Sequence, residues 1–276
     1  MIKEINRKYE NKADQAPDID DVATLSRSRH SALGIIALVL ALMFLFTVVG
    51  RGIYVFAGPP LEFLTESWSL SDDPVVRDSR ESVVQVNVET RSGAPGGQTR
   101  ATGFNIAPGG LIVTNRHVVD DAMSVRVSFP GRGTYPAKEI HVSPHVDLGL
   151  IELDAEDLPA VPLSGRSAQP GDELLIIGNP LQFARIANMG VLLGYAEHHD
   201  REIPILVVEA AVYPGSSGSP LLNEQGGVVG VVYATMNSSD PSEVIGLAVD
   251  VRELDIFLDD LSGELHEINL QEIWVD

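Results

Sequence analysis

The chain has no cysteine among its 276 residues. Disulfides, a thiol nucleophile and any cysteine-ligated metal are therefore excluded. Positive charge is almost as scarce once the N-terminal segment is passed. Residues 1–31 hold six Lys/Arg and six Asp/Glu, and the remainder holds 13 basic against 33 acidic residues, so it carries the whole net charge of -20. Lys138 is the one lysine in that remainder. Nucleic-acid binding requires clustered Lys/Arg against phosphate, so this balance argues against it. No Gly-rich stretch ends in the Gly-Lys-Ser/Thr of a phosphate-binding loop, so no nucleotide cofactor is implied. Fixed-period repeats are also lacking.

Long apolar runs are absent but for one. Ala32 to Val49 is 18 residues without a charge, close to the ~20 that a spanning helix needs. A cleavable signal has a shorter apolar core and a small-residue cleavage site, and neither is seen here. The expectation is an uncleaved transmembrane signal-anchor helix over 32–50, behind a disordered tail over 1–31. Arg27, Arg29 and His30 precede the span, whereas Arg51 alone follows it before Glu62, Glu66, Asp72 and Asp73. The positive-inside bias puts the N-terminus in the cytoplasm and the acidic portion outside, in the periplasm or extracellular space.

Residues 51–73 read as a linker, with GPP at 58–60 and SLSDD at 69–73. Asp73-Pro74 suits a helix start. Short β-rich runs then follow at close spacing: Val83–Glu89, Ala101–Ile106, Leu111–Thr114, Val125–Phe129, Ala137–Val142, Leu148–Leu153, Glu173–Ile177, Ile186–Leu193, Ile205–Ala210, Pro220–Leu222, Val228–Tyr233 and Ile245–Val249. APGG at 107–110 and NEQGG at 223–227 are hairpin connections. This texture predicts an all-β barrel or sandwich over 74–262. Val251, Leu254, Phe257, Leu258 and Leu261 recur at helical spacing and predict a packing helix, closed by Gly263. Residues 263–276 are a tail with some apolar contact.

Three segments have the makings of nucleophilic catalysis. A serine hydroxyl needs a neighbouring base, a third group to orient that base, and N–H donors where negative charge develops. TNRHVV, Thr114 to Val119, puts His117 in a turn after a strand. SPHVDLGLIEL, Ser143 to Leu153, puts Asp147 just before an alternating strand. YPGSSGSPLL, Tyr213 to Leu222, places serines between glycines that permit a tight turn. His141 and His145 lie near Asp147, but the four-residue spacing does not converge on a strand. No metal is assigned there or at His198-His199-Asp200.

The chain order His, Asp, Ser is one of the known orders for a catalytic triad. The segments TNRHVV, HVDLGLIEL, IIGNP (Ile176 to Pro180), VEAAVYPGSSGSPLLN, EQGGVVGV and VIGLAVD together resemble the chymotrypsin-fold serine proteases, and within them the bacterial HtrA/Deg trypsin-like proteases. The likeness runs from about Pro74 to Leu261. It implies two six-stranded β-barrels, a peptide-hydrolysing activity without a cofactor, and unfolded polypeptides as substrates. By the same likeness Ser217 is the nucleophile, His117 the base and Asp147 its orienting carboxylate. Gly215 and Ser217 supply the oxyanion-hole N–H groups. Val212, Tyr213, Ile245, Gly246, Leu247 and Ala248 bind substrate, with the strand Ile245–Val249 pairing with its backbone. Family members are often trimers, with contacts expected before Pro74.

Departures from the family pattern are Ser216 for Asn, Glu209 for Asp, and Ser219 for a glycine, where a positive φ would strain serine. Such proteases commonly carry a PDZ domain after the protease; with about 15 residues after Leu261, none is expected here. A catalytically inactive protease-like binding module is the alternative reading, and an esterase using the same triad is a weaker one. The orientation is tested by adding protease to sealed cells. The acidic portion is expected to be degraded, and its protection would reverse the assigned topology.

Overall fold

A computed structural model of the chain describes residues 62–90, 97–198, 201–237, 244–263, 265 and 273–275. The tail over 1–31, the anchor over 32–50, linker residues 51–61 and most of 263–276 lie outside the described residues. No helix among the described residues is long and apolar enough to cross a membrane.

Alternation of apolar and polar side chains dictates the strands. In β1 (Val83–Thr90), Val84, Val86 and Val88 are buried while Gln85, Asn87 and Glu89 turn outward. Fully burying such a side chain is worth ~1.5–3 kcal/mol. The first sheet adds β2 (Gln98–Asn105), β3 (Leu111–Thr114), β4 (Ala122–Phe129), β5 (Gly133–Pro136), β6 (Glu139–Val142) and β7 (Gly149–Glu152), in the order β5-β4-β1-β2-β3-β7-β6. The second contains β8 (Leu163–Ser164), β9 (Glu173–Gly178), β10 (Ile186–His198), β11 (Arg201–Ala210), β12 (Pro220–Leu222), β13 (Val228–Asn237), β14 (Val244–Asp250) and β15 (Trp274–Val275).

The chain is all-β as expected, but the two sheets close differently. In the second, β13 pairs with β12 as well as β14, so β12-β9-β10-β11-β14-β13 forms a closed six-stranded barrel. The first sheet has seven strands where six were expected. Its end strands do not pair with each other: the expected run Ala137–Val142 is split, with β5 on β4 and β6 on β7. Between them Ala137 N–H donates to Val125 O and Lys138 N–H to Glu152 O, so the chain steps from one edge toward the other. One apolar cluster runs between the sheets, joining Phe104, Leu111, Val113 and Leu150 to Leu163, Ile177, Val228 and Val231. It fixes the junction where the site lies.

The helices follow from their caps. In α2 (Pro74–Ser79) the Asp73 carboxylate accepts from Val75 and Val76 N–H, as Asp-Pro at a helix start predicts. α4 (Val251–Asp260) buries Val251, Leu254, Phe257 and Leu258 and is capped by Asp250. It ends at Leu261 in a right-handed conformation. Gly263 does not adopt a positive φ, so the expected glycine cap is absent; the backbone needs no left-handed residue there.

Leu61–Asp276 forms one unit, wider than 74–262 at both ends. Helix α1 (Glu62–Ser69) falls within the expected linker and packs on β10, where Glu66 Oε1 accepts from Met189 N–H and Ser67 Oγ from Ala187 N–H. At the other end β15 runs parallel to β8, with Leu163 N–H donating to Ile273 O. Leu265 and Ile273 are buried in the inter-sheet cluster. These two tail residues are thus part of the core. Ile273→Ala is expected to lower stability by ~2–5 kcal/mol, measured by denaturant unfolding. An unchanged midpoint would mean that the segment contributes no packing.

Candidate active site

His117 sits in α3 (Arg116–Val119), a single turn immediately after β3. Its N-cap residue, Asn115, is buried and donates through Nδ2 to Asp147 O at 3.0 Å. Asp147 lies in the β6–β7 connection. There Ser143 Oγ accepts the N–H groups of His145 and Val146, and Arg116 Nη1 donates to Ser143 O. The register pairs Thr114 with Gly149, which sets Asp147 beside the start of α3. A side chain at Gly149 would meet Val119 and the Asn115 carbonyl.

Both Asp147 oxygens engage His117. Oδ1 accepts the backbone N–H at 2.9 Å, and Oδ2 lies 2.6 Å from ring Nδ1. This fixes the ring orientation and, in the neutral form, places the proton on Nδ1, leaving Nε2 as the basic nitrogen. The hydrogen bond to Asp147 raises the His117 pKa above 6.5; burial opposes it, and the Asp147 charge adds to it. Tyr233 on β13 is pushed up by burial and then by the Asp147 charge, so the second barrel approaches the pair at this point.

The serine segment is a tight turn. Gly215 has φ +100° and Gly218 φ +85°. A Cβ at Gly215 would sit 2.7 Å from Asn179 O, and one at Gly218 would collide with Thr102 O and lie 2.6 Å from Thr114 Oγ1. Glycine is required at both for conformation and for space. Ser216 N–H donates to Tyr213 O, Ser219 N–H to Ser216 O, and Gly218 N–H to Val232 O. The N–H groups of Gly215 and Ser217 donate to no acceptor among the described residues. Ser217 is half-buried, and no hydrogen bond joins its hydroxyl to the His117 ring in this structure.

Thr102 on β2 holds this turn against the first sheet. Its N–H donates to Ser217 O at 2.9 Å and its hydroxyl to Gly215 O at 2.7 Å. Its carbonyl accepts from Thr114 Oγ1, at the end of the strand that leads into α3, and its Oγ1 accepts Asn179 N–H. The structure therefore joins His117 to Asp147 directly, and joins the Ser217 backbone to the His117 strand through Thr102 and Thr114. Neither threonine, nor Asn115, was singled out in the sequence. Thr114 and Asn115 stand in the TNRHVV motif, but Thr102 carries no local signal.

Ser219 does not have a positive φ, so serine is unstrained there. It is fully buried, and its hydroxyl has no partner among the described residues; Gly178 makes room for it.

The expected substrate strand needs correction. β14 has β11 on one side and β13 on the other, so Ile245–Val249 has no open edge for a peptide backbone. Val212 and Ala248 are buried in the core of the second barrel, and Val212 packs over Gly246. The open edge is that of β13: beyond Val232, no strand among the described residues pairs with it on the side away from β14. Alternating apolar residues look the same in both strands, so the sequence pattern could not separate them.

His141 Nε2 lies 2.7 Å from Glu152 on β7 and 3.8 Å from Glu139 on β6.

Residues 101–231 match the model of the trypsin-like peptidase domain. This part of the chain is similar to that domain and to DegP-like serine endoproteases. The chain is 35% identical over 154 residues to a probable periplasmic serine endoprotease DegP-like of Chlamydia pneumoniae, covering 54% of this chain and 32% of that one. A DegP-like relative from Marinomonas sp. is 31% identical over 187 residues, covering 60% and 40%. The chain thus spans well under half the length of these relatives. Among solved structures, the serine endoprotease of Yersinia pestis matches at 25% identity and TM-score 0.58, covering 68% of this chain and 65% of that one. The active form of the Rv3671c protease of M. tuberculosis shares the fold at 24% identity and TM-score 0.61, covering 69% and 85%.

Asp147→Asn is expected to lower the His117 pKa, because it replaces a charge-assisted hydrogen bond with a neutral one. NMR titration of the ring would read this; an equal pKa in both proteins would remove Asp147 as the cause of the shift.

Proposed function

We propose that the chain is a serine endopeptidase in which Ser217, His117 and Asp147 act as nucleophile, base and orienting carboxylate. The observation that carries this reading is the double hold of Asp147 on His117, beside a serine turn with two unengaged N–H donors. In the proposed cycle Ser217 Oγ attacks the scissile carbonyl while His117 Nε2 takes its proton. The oxyanion forms against Gly215 and Ser217 N–H, where loss of one donor typically costs ~2.7–4 kcal/mol in the transition state. The imidazolium then protonates the leaving amine. Water resolves the acyl-enzyme by the reverse proton path. The open edge of β13 would hold an extended peptide by strand addition, with Tyr213 beside the cut.

The substrates proposed are unfolded polypeptides outside the cytoplasm, with 32–50 as the membrane anchor. The DegP-like relatives are named periplasmic, which agrees with the orientation inferred from the charged flanks. A homotrimer built on the segment before Pro74 remains part of this proposal.

Ser217→Ala is expected to abolish both peptide cleavage and fluorophosphonate labelling; wild-type turnover in that variant would sink the assignment. The neutral ring is the base, and Asp147 raises its pKa, so activity should rise with pH through a midpoint above the 6.5 of a free imidazole. A flat profile between pH 5 and 8 would exclude His117 from that role.

A further inference from the structure

Arg80 and Arg185 stand together without an acid. Arg80 follows α2, and Arg185 ends the loop between β9 and β10. Arg185 Nη1 reaches Arg80 O at 3.5 Å, and Arg80 Nη2 donates to Ser67 Oγ at 3.2 Å. In a chain of net charge -20, neither arginine makes an ion pair among the described residues. The nearby Glu66 carboxylate is turned to Met189 N–H instead. Arg80 Nε is buried with no partner among the described residues. The Ser67 hydroxyl, itself buried, already accepts from Arg80 and from Ala187 N–H, and its own proton has no acceptor among the described residues.

Two adjacent guanidiniums, half-buried and unpaired, are costly for a fold to keep, because Arg does not shed its proton. Burial and the Arg185 charge both press on Arg80. Arg185 is moreover held at φ +53°, a conformation that non-glycine residues rarely adopt, by its N–H bond to Asn179 Oδ1. The unmet donors and the like charge are relieved by the same thing: an oxoanion, two of whose oxygens the guanidinium fork matches.

We propose that Arg80, Arg185 and Ser67 form a binding site for an oxoanion, a carboxylate or phosphate group, separate from the Ser217 turn. The site is not remote from that turn. The same β9–β10 loop donates Leu181 N–H to Pro214 O at 2.9 Å, and Asn179 O lies against Gly215. An anion that stiffens Arg185 would stiffen the loop on which the serine turn leans.

The test titrates the full chain with sodium phosphate, sodium acetate or a short glutamate-containing peptide, at ionic strength held constant with chloride. Binding is read by the fluorescence of Trp68, which adjoins Ser67, and by the shift in Tm, so it needs no catalysis and is independent of the protease reading. A saturable response is expected, with its midpoint weakened at least about tenfold in Arg185→Gln, the loss of one charge-assisted fork. Arg77→Gln, on an exposed arginine outside the site, should leave it unchanged. Saturation by phosphate or acetate alone assigns a free oxoanion; saturation by the peptide only assigns a carboxylate carried on a polypeptide. Failure of all three probes to saturate, or an unshifted midpoint in Arg185→Gln, overturns the site. Arg80→Gln provides the second variant, and Arg185→Lys, which keeps charge but not the fork, should fall between wild type and Arg185→Gln.

Discussion

Thr102 is the residue on which the candidate site depends. Through its N–H, its carbonyl and its hydroxyl it engages Ser217, Gly215, Thr114 and Asn179. These four belong to the serine turn, the strand before His117 and the loop after β9. The hydroxyl joins the turn to the loop after β9, and the carbonyl adds the strand. The proposed nucleophile and base come from different sheets and stay in mutual register only if something rigid spans the gap, since misplacement by about an ångström is costly for catalysis. A small β-branched residue in mid-strand suits this task, because its hydroxyl is close to the backbone and has few rotamers. The apolar cluster between the sheets supplies the second constraint, holding the two halves at fixed distance while Thr102 sets the register.

Charge around the imidazole follows from this arrangement. Asp147 uses one oxygen to fix where the His117 backbone lies and the other to fix how its ring is turned. Position and tautomer are thus set by a single carboxylate. That carboxylate is in turn held by a loop whose own bonds come from Ser143, Arg116 and Asn115. The ring remains half-exposed, so it is open to a proton exchange partner on its Nε2 side.

Much of this was legible in the chain. Strands such as Leu111–Thr114 and Pro220–Leu222 were readable to the residue, because turn chemistry bounds them on both sides. His117 and Asp147 were marked by the strand ends beside them. What was illegible depends on partners far along the chain. β8 and β15 have two residues each, too short for any alternation to register. The role of Thr102 rests on bonds to residues more than 70 positions away. Which of β13 and β14 keeps an open edge is a matter of sheet order, and alternation within a strand says nothing about its neighbours. Helix α1 was hidden by its position in a Pro- and Ser-rich stretch, and its contribution lies in two polar side chains that cap β10.

The open side of β13 has a cost as well as a use. Unpaired backbone donors and acceptors along an edge accept any extended chain, including the same edge of another molecule, and such edges are templates for aggregation. The sheet protects itself with no proline or lysine at Ala234, Thr235 and Met236. Protection at a distance comes from the acidic surface, whose net charge of -20 makes copies repel before their edges meet. That safeguard is screened by salt over roughly 8–10 Å at physiological strength. Colloidal behaviour in concentrated salt is therefore written into the same strand that would receive a substrate.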